Sequence, residues 1–205
     1  MPWNAKNSGA YALGSREANE NAVMIHDLLS SWGYDYNSIC AILGNIGYES
    51  GYNPFRWQGD VILFNYQNNL IDNQTGHAYG LLQFDPAGQY IHNSAAQSYA
   101  DYSPNFANQP GFPKDGAGQL QYMNYIAIPI NGAYQPTTAY PLTFAEFKQS
   151  TANVDYLTNA WLYNYERGTP ANDRLVHARY WYQHLSELIG GTHRMKWIYY
   201  LRRRR

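Results

Sequence analysis

The segment from Ile39 to Gly51 constrains the fold of this chain more than any other part of it. Its apolar side chains follow the spacing of one helix face, and the same row leads on to Glu49. Partial burial and the negative end of the helix dipole would both favour the protonated form of that carboxyl, which could then act as a general acid. The alternative is a Glu that points into solvent at a fraying helix end. The apolar row consists of Ile39, Ile42, Leu43 and Ile46.

The composition indicates a globular domain and gives a weak indication of its ligand. A chain of 205 residues with 45% hydrophobic residues can form one sizeable core. Charged residues are only 14%, whereas aromatic residues reach 17% and include 21 Tyr. Tyrosine and tryptophan rings suit sugars but also serve in ordinary cores. The composition therefore favours a polar, uncharged ligand only slightly.

The charge pattern excludes several classes of partner. A net charge of -1 does not call for nucleic acid or an anionic membrane, and no stretch approaches the roughly 20 apolar residues of a membrane span. The segment Met1–Lys6 is not the start of an apolar signal peptide, so we expect any export to use another route. Cys40 lacks a second cysteine and is expected to be a buried, inert thiol.

Periodic apolar residues separated by Gly- and Pro-rich connections predict a mainly α fold with a small irregular or β-containing lobe. We expect a catalytic domain over 1–190 and a basic tail over 191–205, with Gly190 and Gly191 closing the last helix. Asn37 or Ser38 should cap the helix that carries Glu49. The other expected elements are helices over 17–32, 86–98 (after an Asp85 cap), 117–128, 154–165 and about 178–188, a short helix after Thr143, and a short strand over 61–64.

Three ordered motifs occur along the chain. They are Gly44-Asn45-Ile46-Gly47-Tyr48-Glu49-Ser50-Gly51-Tyr52-Asn53-Pro54, Tyr79-Gly80-Leu81-Leu82-Gln83-Phe84 and Tyr163-Asn164-Tyr165-Glu166-Arg167-Gly168. Together they resemble the phage tail lysozyme family, whose members cleave peptidoglycan, and more distantly the goose-type lysozymes and soluble lytic transglycosylases. The likeness covers about Tyr11 to Leu188 and implies a lysozyme-like, two-lobed helical domain.

The resemblance also implies roles for individual residues. Glu49 would protonate the oxygen between N-acetylmuramic acid and N-acetylglucosamine. Gly80, Leu81 and Gln83 would line the cleft, and Tyr165 would support its floor. A glycine permits close approach of a backbone, and a neutral amide can bind hydroxyls without the effect of a cation on the acid.

The chemistry depends on a second carboxylate. Hydrolysis needs a base or a nucleophile opposite the acid, whereas a lytic transglycosylase lets a hydroxyl of the sugar attack. Asp60 follows Glu49 in an irregular segment and is our first candidate, with Asp72 the next. Loop aspartates are often turn formers, so both a catalytic and a structural role remain open.

Other sites fit the sequence less well. A dyad of Cys40 and His77 would suggest a cysteine peptidase, but no basic residue lies near Cys40 in the sequence. The histidines form no tight metal-ligand pair, so neither a metal nor another cofactor is expected. Glu166 and Arg167 are expected to fix the turn at Tyr165 rather than to take part in catalysis.

The expected partner is bacterial peptidoglycan, with no nucleic acid and no membrane. The resemblance places the chain on a phage tail or in the host cytoplasm before release. The tail over 191–205, which ends in four arginines, could contact other tail proteins. A glycan-binding or structural module without turnover remains an alternative to a hydrolase.

Overall fold

A computed structural model describes residues 3–6, 9–60, 77–91, 93–99 and 116–202, without the side chains of 60 and 191–202. In these residues the chain is mainly helical, which confirms the predicted class. Extended pairing in this part is limited to isolated bridges of Tyr79 with Trp57 and Phe84. The helices are α1 (Arg16–Ser31), α2 (Tyr36–Ser50), a 3-10 turn (Gln58–Asp60), α3 (Gly88–Ile91), α4 (Ser94–Gln97), α5 (Gly116–Ala127), α6 (Phe144–Lys148), α7 (Val154–Trp161), a π-helical turn (Leu162–Glu166) and α8 (Asn172–Arg202).

The helix α2 forms the centre of the fold. It packs against α1, α7 and α8, and nearly all of its residues are buried. It begins after Asp35, whose side chain accepts a hydrogen bond from the backbone N–H of Asn37, and it ends at Gly51 in the left-handed region, with φ of 54°. The expected cap at Asn37 or Ser38 is wrong. Both side chains instead donate to backbone carbonyls of residues 147–152.

Two glycines of α2 allow α8 to approach closely. A Cβ atom on Gly44 would lie 2.7 Å from the carbonyl oxygen of Arg174 and 2.6 Å from the Cβ of Ala178. The backbone of α8 therefore passes close to Gly44. At Gly47 the close neighbours are instead side chains, those of His177 and Tyr52.

A hydrogen-bonded aromatic cluster joins the end of α2 to α8. The indole N–H of Trp181 donates to the hydroxyl oxygen of Tyr52 at 2.7 Å, and this oxygen lies 2.6 Å from Nδ1 of His177. The hydroxyl oxygen of Tyr52 accepts a hydrogen bond from the indole N–H of Trp181. The hydroxyl proton of Tyr52 can therefore be donated to Nδ1 of a neutral His177. Burial lowers the pKa of His177, although the charge of Asp173 opposes this effect.

The lowered pKa of His177 predicts a loss of stability in acid. The unfolded chain binds this proton near pH 6.5, its ordinary value, whereas the folded chain binds it only at lower pH. The free energy of unfolding should therefore fall as the pH drops below about 6.5. Urea unfolding between pH 7.5 and 5 would measure this slope. In His177→Gln, which cannot titrate, we expect a smaller slope; an equal slope would show that other groups cause it.

The chain before α1 packs against the end of α2. The backbone N–H of Tyr11 donates to the carbonyl of Gly51 at 3.0 Å. A Cβ on Gly51 would lie only 2.2 Å from the Cβ of Ala10. The buried ring of Trp3 lies against Gly116 at the start of α5. This segment is therefore part of the core.

Several predicted boundaries hold within a residue or two, including those of α1 and α5. The short helix after Thr143 is confirmed as α6, and Thr143 with Glu146 forms the expected capping box. The expected helix over 86–98 is wrong. Two short helices replace it, because the side chain of Asn93 accepts hydrogen bonds from the backbone N–H groups of Ala95 and Ala96 and starts a new helix there.

The last helix runs on past its predicted end. We expected Gly190 and Gly191 to close it, but α8 continues to Arg202. A helical glycine costs about 1 kcal/mol relative to alanine and weakens a helix without ending it. The predicted strand over 61–64 and the candidate Asp72 lie outside the described residues. In the part that the structure describes, every helix is too short or too polar to cross a bilayer.

Candidate active site

Glu49 lies in the last turn of α2 with its side chain 20% exposed. This partial burial agrees with the expectation from the apolar row, whereas the expected neutral surroundings of the carboxyl are wrong, because a buried arginine contacts it. An Nη2 atom of Arg174 donates to Oε1 of Glu49, so that the two side chains form an ion pair. The guanidinium of Arg174 therefore lies directly against the carboxyl of Glu49.

Arg174 is an almost fully buried arginine, with 2% of the residue exposed. Besides Glu49, its guanidinium donates from Nη1 to the amide oxygen of Asn45 at 2.8 Å, and it lies 4.2 Å from the ring centroid of Tyr48. Asn45 is itself held by backbone carbonyls of α2 and α7. The Nε atom of Arg174 is buried and has no hydrogen-bond partner among the described residues. Arg174 thus offers one more donor close to Glu49.

Glu166 brings a second carboxyl to the same charged group. It ends the π-helical turn after α7, and the indole N–H of Trp161 donates to its Oε1 at 3.1 Å. Burial raises the pKa of Glu166 to about 8, the negative charge of Glu49 adds to this effect, and the positive charge of Arg174 opposes it. Burial therefore favours the protonated form of the Glu166 carboxyl.

A pocket of about 410 Å³ opens beside Glu166. Tyr165 forms part of its wall and stacks on Trp161, with ring centroids 4.3 Å apart. Gln83 and Tyr165, both predicted site residues, therefore share one pocket with a carboxyl, although Glu49 itself is not part of the lining. The lining residues are Leu82, Gln83, Phe84, Asp85, Gln89, Ile126, Asn131, Gly132, Ala133, Tyr165, Glu166 and Arg167.

The glutamine motif contributes to the pocket through Gln83. This residue has a positive φ of 47°, and its Nε2 donates to the carbonyls of Arg56 and Gly80 at 3.0 and 2.9 Å. With the amide nitrogen used in this way, the amide oxygen is the atom that Gln83 can offer to a sugar hydroxyl.

Gly80 and Leu81 are not among the residues that line this pocket. Leu81 is fully buried, and its N–H donates to the side-chain oxygen of Gln119 at 2.7 Å. Gly80 has φ of 87°, and a Cβ there would lie 2.4 Å from the same oxygen. A glycine is therefore required at position 80, because its backbone is left-handed and because the side chain of Gln119 leaves no room for a Cβ atom.

The other predicted residues differ in how far the structure describes them. The backbone of Asp60 lies in the 3-10 turn, but its side chain is outside the described part. Asp85 is not a helix cap and is exposed at the pocket.

Cys40 is buried, and burial raises the pKa of its thiol to about 12, which contradicts the alternative of a nucleophilic cysteine. The described residues contain no cluster of three or more metal-ligating side chains.

Sequence reasoning missed Arg174 and assigned Glu166 to the support of a turn. A signal for Arg174 was present, since it extends the apolar row of α8 by one turn toward the N-terminus, as Glu49 extends the row of α2. Glu166 carried no comparable signal. The row in α8 consists of Ala178, Trp181, Leu185 and Leu188.

Comparison with known families identifies the family to which this chain belongs. The sequence pattern of the phage tail lysozyme family matches residues 20–185, which include all three motifs. The chain belongs to this family, whose name implies a peptidoglycan hydrolase.

A similar protein comes from a phage that infects Bacillus. The chain is 30% identical over 178 residues to morphogenesis protein 1 of Bacillus phage B103. The match covers 85% of this chain but only 41% of that relative. The chain therefore spans less than half the length of the curated relative that it matches.

Proposed function

We propose that this chain is a muramidase that cleaves the bond between N-acetylmuramic acid and N-acetylglucosamine in peptidoglycan. Glu49 is the general acid that protonates the glycosidic oxygen, and water is the acceptor. The chain acts as part of a phage virion, on the tail, against the bacterial cell wall. Family membership supports the substrate, and the charged group at the end of α2 supports the chemistry.

The observation that carries this proposal is the partly buried carboxyl of Glu49, which contacts the buried Arg174 at the end of α2. Glycoside hydrolysis uses a protonated carboxyl together with an ionised one. Glu49 is the carboxyl proposed to donate the proton, and Glu166, which lines the pocket, is a second carboxyl whose protonated form burial favours. Asp60 remains the predicted base or nucleophile of the irregular lobe.

The proposed architecture is the two-lobed one of lysozymes. The helices around α2 form one lobe, and the segment that contains Asp60 and the glutamine motif forms the other. Gln83 and Tyr165 bind sugar in the pocket between these two parts of the chain. The remaining tail, 191–205, is proposed to contact other tail proteins.

Product analysis tests the proposal. Purified peptidoglycan is incubated with the full chain, the products are reduced with borohydride, and the released muropeptides are examined by mass spectrometry. We expect new reducible N-acetylmuramic acid ends. New N-acetylmuramic acid ends that carry a 1,6-anhydro bond, and therefore resist reduction, would identify a lytic transglycosylase instead. Binding to the wall without any new ends would identify a glycan-binding module and would refute the assignment.

A further inference from the structure

The pocket beside Tyr165 is lined by two residues in an uncommon backbone conformation. Among the described residues, three other than glycine have a positive φ, and two of these, Gln83 and Arg167, line the pocket. Their φ angles are 47° and 52°. The left-handed conformation is unfavourable for a residue with a Cβ atom, and such residues cluster at active sites and ligand-binding sites. The backbone of this pocket is therefore that of a binding site.

Arg167 occupies a position at which glycine is the usual residue. It ends the π-helical turn, and its backbone N–H donates to the carbonyl of Leu162 at 2.7 Å. Its side chain donates from Nη2 to the carbonyl of Ala133 at 3.2 Å, and Ala133 also lines the pocket. This bond fixes the guanidinium at the pocket and uses one of its five N–H groups, so that the others can bind a ligand.

The segment that carries Arg167 leads directly to the group that contacts Glu49. A Cβ atom on Gly168 would lie 3.3 Å from Nη2 of Arg174, which is the atom that donates to the carboxyl of Glu49. The lining of the pocket and the proposed acid are therefore joined through one arginine side chain. This places the pocket within reach of a branch on a sugar that is bound at Glu49.

The charges of the pocket differ from those expected of a site for a neutral sugar alone. Arg167 and Asp85 are both exposed and bring a positive and a negative side chain to the lining. The third acidic or basic residue there is Glu166, whose carboxyl accepts the indole N–H of Trp161 and whose neutral form burial favours. In peptidoglycan the glycan is neutral where a stem peptide is attached, whereas the stem carries carboxylates and an amino group. A guanidinium and a carboxylate are the side chains that bind these two groups.

We propose that the pocket binds the stem peptide of N-acetylmuramic acid, with Arg167 bound to a stem carboxylate and Asp85 to a stem amino group. This inference rests on the proposed function and adds selectivity to it, because the chain then prefers stem-bearing peptidoglycan to a neutral glycan. Arg167 is a binding residue and takes no part in proton transfer. Gln83 and Tyr165 remain the proposed contacts of the sugar itself.

Matched substrates test the carboxylate contact. Soluble stem-bearing glycan strands are acetylated on their amino groups, and one portion is then converted to methyl amides at its carboxylates. For the wild-type chain we expect KM to be about tenfold higher on the amidated strands at similar kcat, because a charged hydrogen bond is lost. Arg167→Gln should show the higher KM on both substrates. Arg16→Gln, at an exposed position of α1, is the matched control and should behave as the wild type.

Two further variants separate binding from stability. Arg167→Gly relieves the left-handed backbone, so its thermal unfolding temperature should be no lower than that of Arg167→Gln, yet its KM should be the same on both substrates. Arg167→Lys keeps the positive charge and should retain part of the preference for free carboxylates. A purely structural role for Arg167 would instead lower stability and leave the preference unchanged in all three variants.

Asp85→Asn tests the contact with the stem amino group. On unmodified strands it should raise KM to the same degree as acetylation of the amino groups does in the wild type. Acetylated strands should then bind the variant and the wild type equally. A further rise in KM on acetylation of the substrate for Asp85→Asn would show that the amino group binds elsewhere.

The outcomes separate this inference from the proposed function. Equal KM of the wild type on free and amidated strands would overturn the inference and leave the muramidase assignment intact. Strands stripped by an amidase keep only the lactyl carboxylate, and a full dependence on Arg167 there would assign this residue to the lactyl group and overturn the inference. Cleavage of none of the strands would overturn the proposed function. Sedimentation of the chain with free and amidated insoluble walls would then test Arg167 by binding alone.

Discussion

Replacing Glu49 by glutamine lowers the rate of cell-wall cleavage at least about a hundredfold, because general acid catalysis by a positioned side chain contributes about 10²–10⁴ to a rate. The amide keeps nearly the same shape and an oxygen for Arg174, but it has no acidic proton. Turbidity clearing of cell walls and the release of reducing ends both measure this loss. The effect should appear in kcat more than in KM, since the missing interaction is made in the transition state.

The control for Glu49→Gln is a second carboxyl-to-amide change away from the pocket. Glu20 pairs with Arg16 on the surface of α1, where an exposed ion pair contributes about 1 kcal/mol or less. Glu20→Gln should therefore keep wild-type activity. If Glu49→Gln clears cell walls at the same rate as Glu20→Gln, Glu49 is not the acid.

Replacing Gly44 by alanine destabilises the protein by about 3 kcal/mol or more, at the upper end of the usual cost of overpacking. The new Cβ would lie 2.7 Å from the carbonyl oxygen of Arg174, which is a backbone atom that cannot move without the helix. The added methyl group must therefore displace α8 from α2. Since Arg174 belongs to that part of α8, its contact with Glu49 is lost together with stability. Chemical denaturation and the cell-wall assay would report the two losses.

Gly190→Ala is the matched control for this second prediction. None of the described atoms lies within 4 Å of a Cβ at Gly190, which is also a helical glycine of α8. Alanine there should stabilise the protein by up to about 1 kcal/mol. If Gly44→Ala and Gly190→Ala change the free energy of unfolding by the same amount, then close packing of α2 on α8 does not explain the glycine at position 44.

The parts of the fold that depend on local pattern were predictable from the sequence. The row from Ile39 to Ile46 indicated the helix that carries Glu49, and Thr143 with Glu146 indicated the start of α6. The cap of α2 was missed because Asp35, Asn37 and Ser38 are all good capping residues. The choice among them depends on carbonyls near residue 150, which Asn37 and Ser38 bind instead.

The candidate site was predictable only in part, because some of its contacts join residues that are far apart in the sequence. Glu49, Gln83 and Tyr165 lie in motifs, and a motif can be recognised without knowledge of contacts. Arg174 is 125 residues from Glu49 in the chain, so a pattern within one helix cannot reveal that the two form an ion pair. The role of Glu166 was underestimated because its pKa depends on groups that only the folded chain brings together.

The packing of the first residues has a practical consequence for anyone who shortens or fuses this domain. The family match begins at residue 20, yet Ala10 and Tyr11 hold the end of the helix that presents Glu49, and Trp3 fills space beside α5. An expression boundary drawn at the start of the family match would remove these supports. The autonomous folding unit therefore extends upstream to at least Trp3, and a linker to a neighbouring module should be attached before that residue.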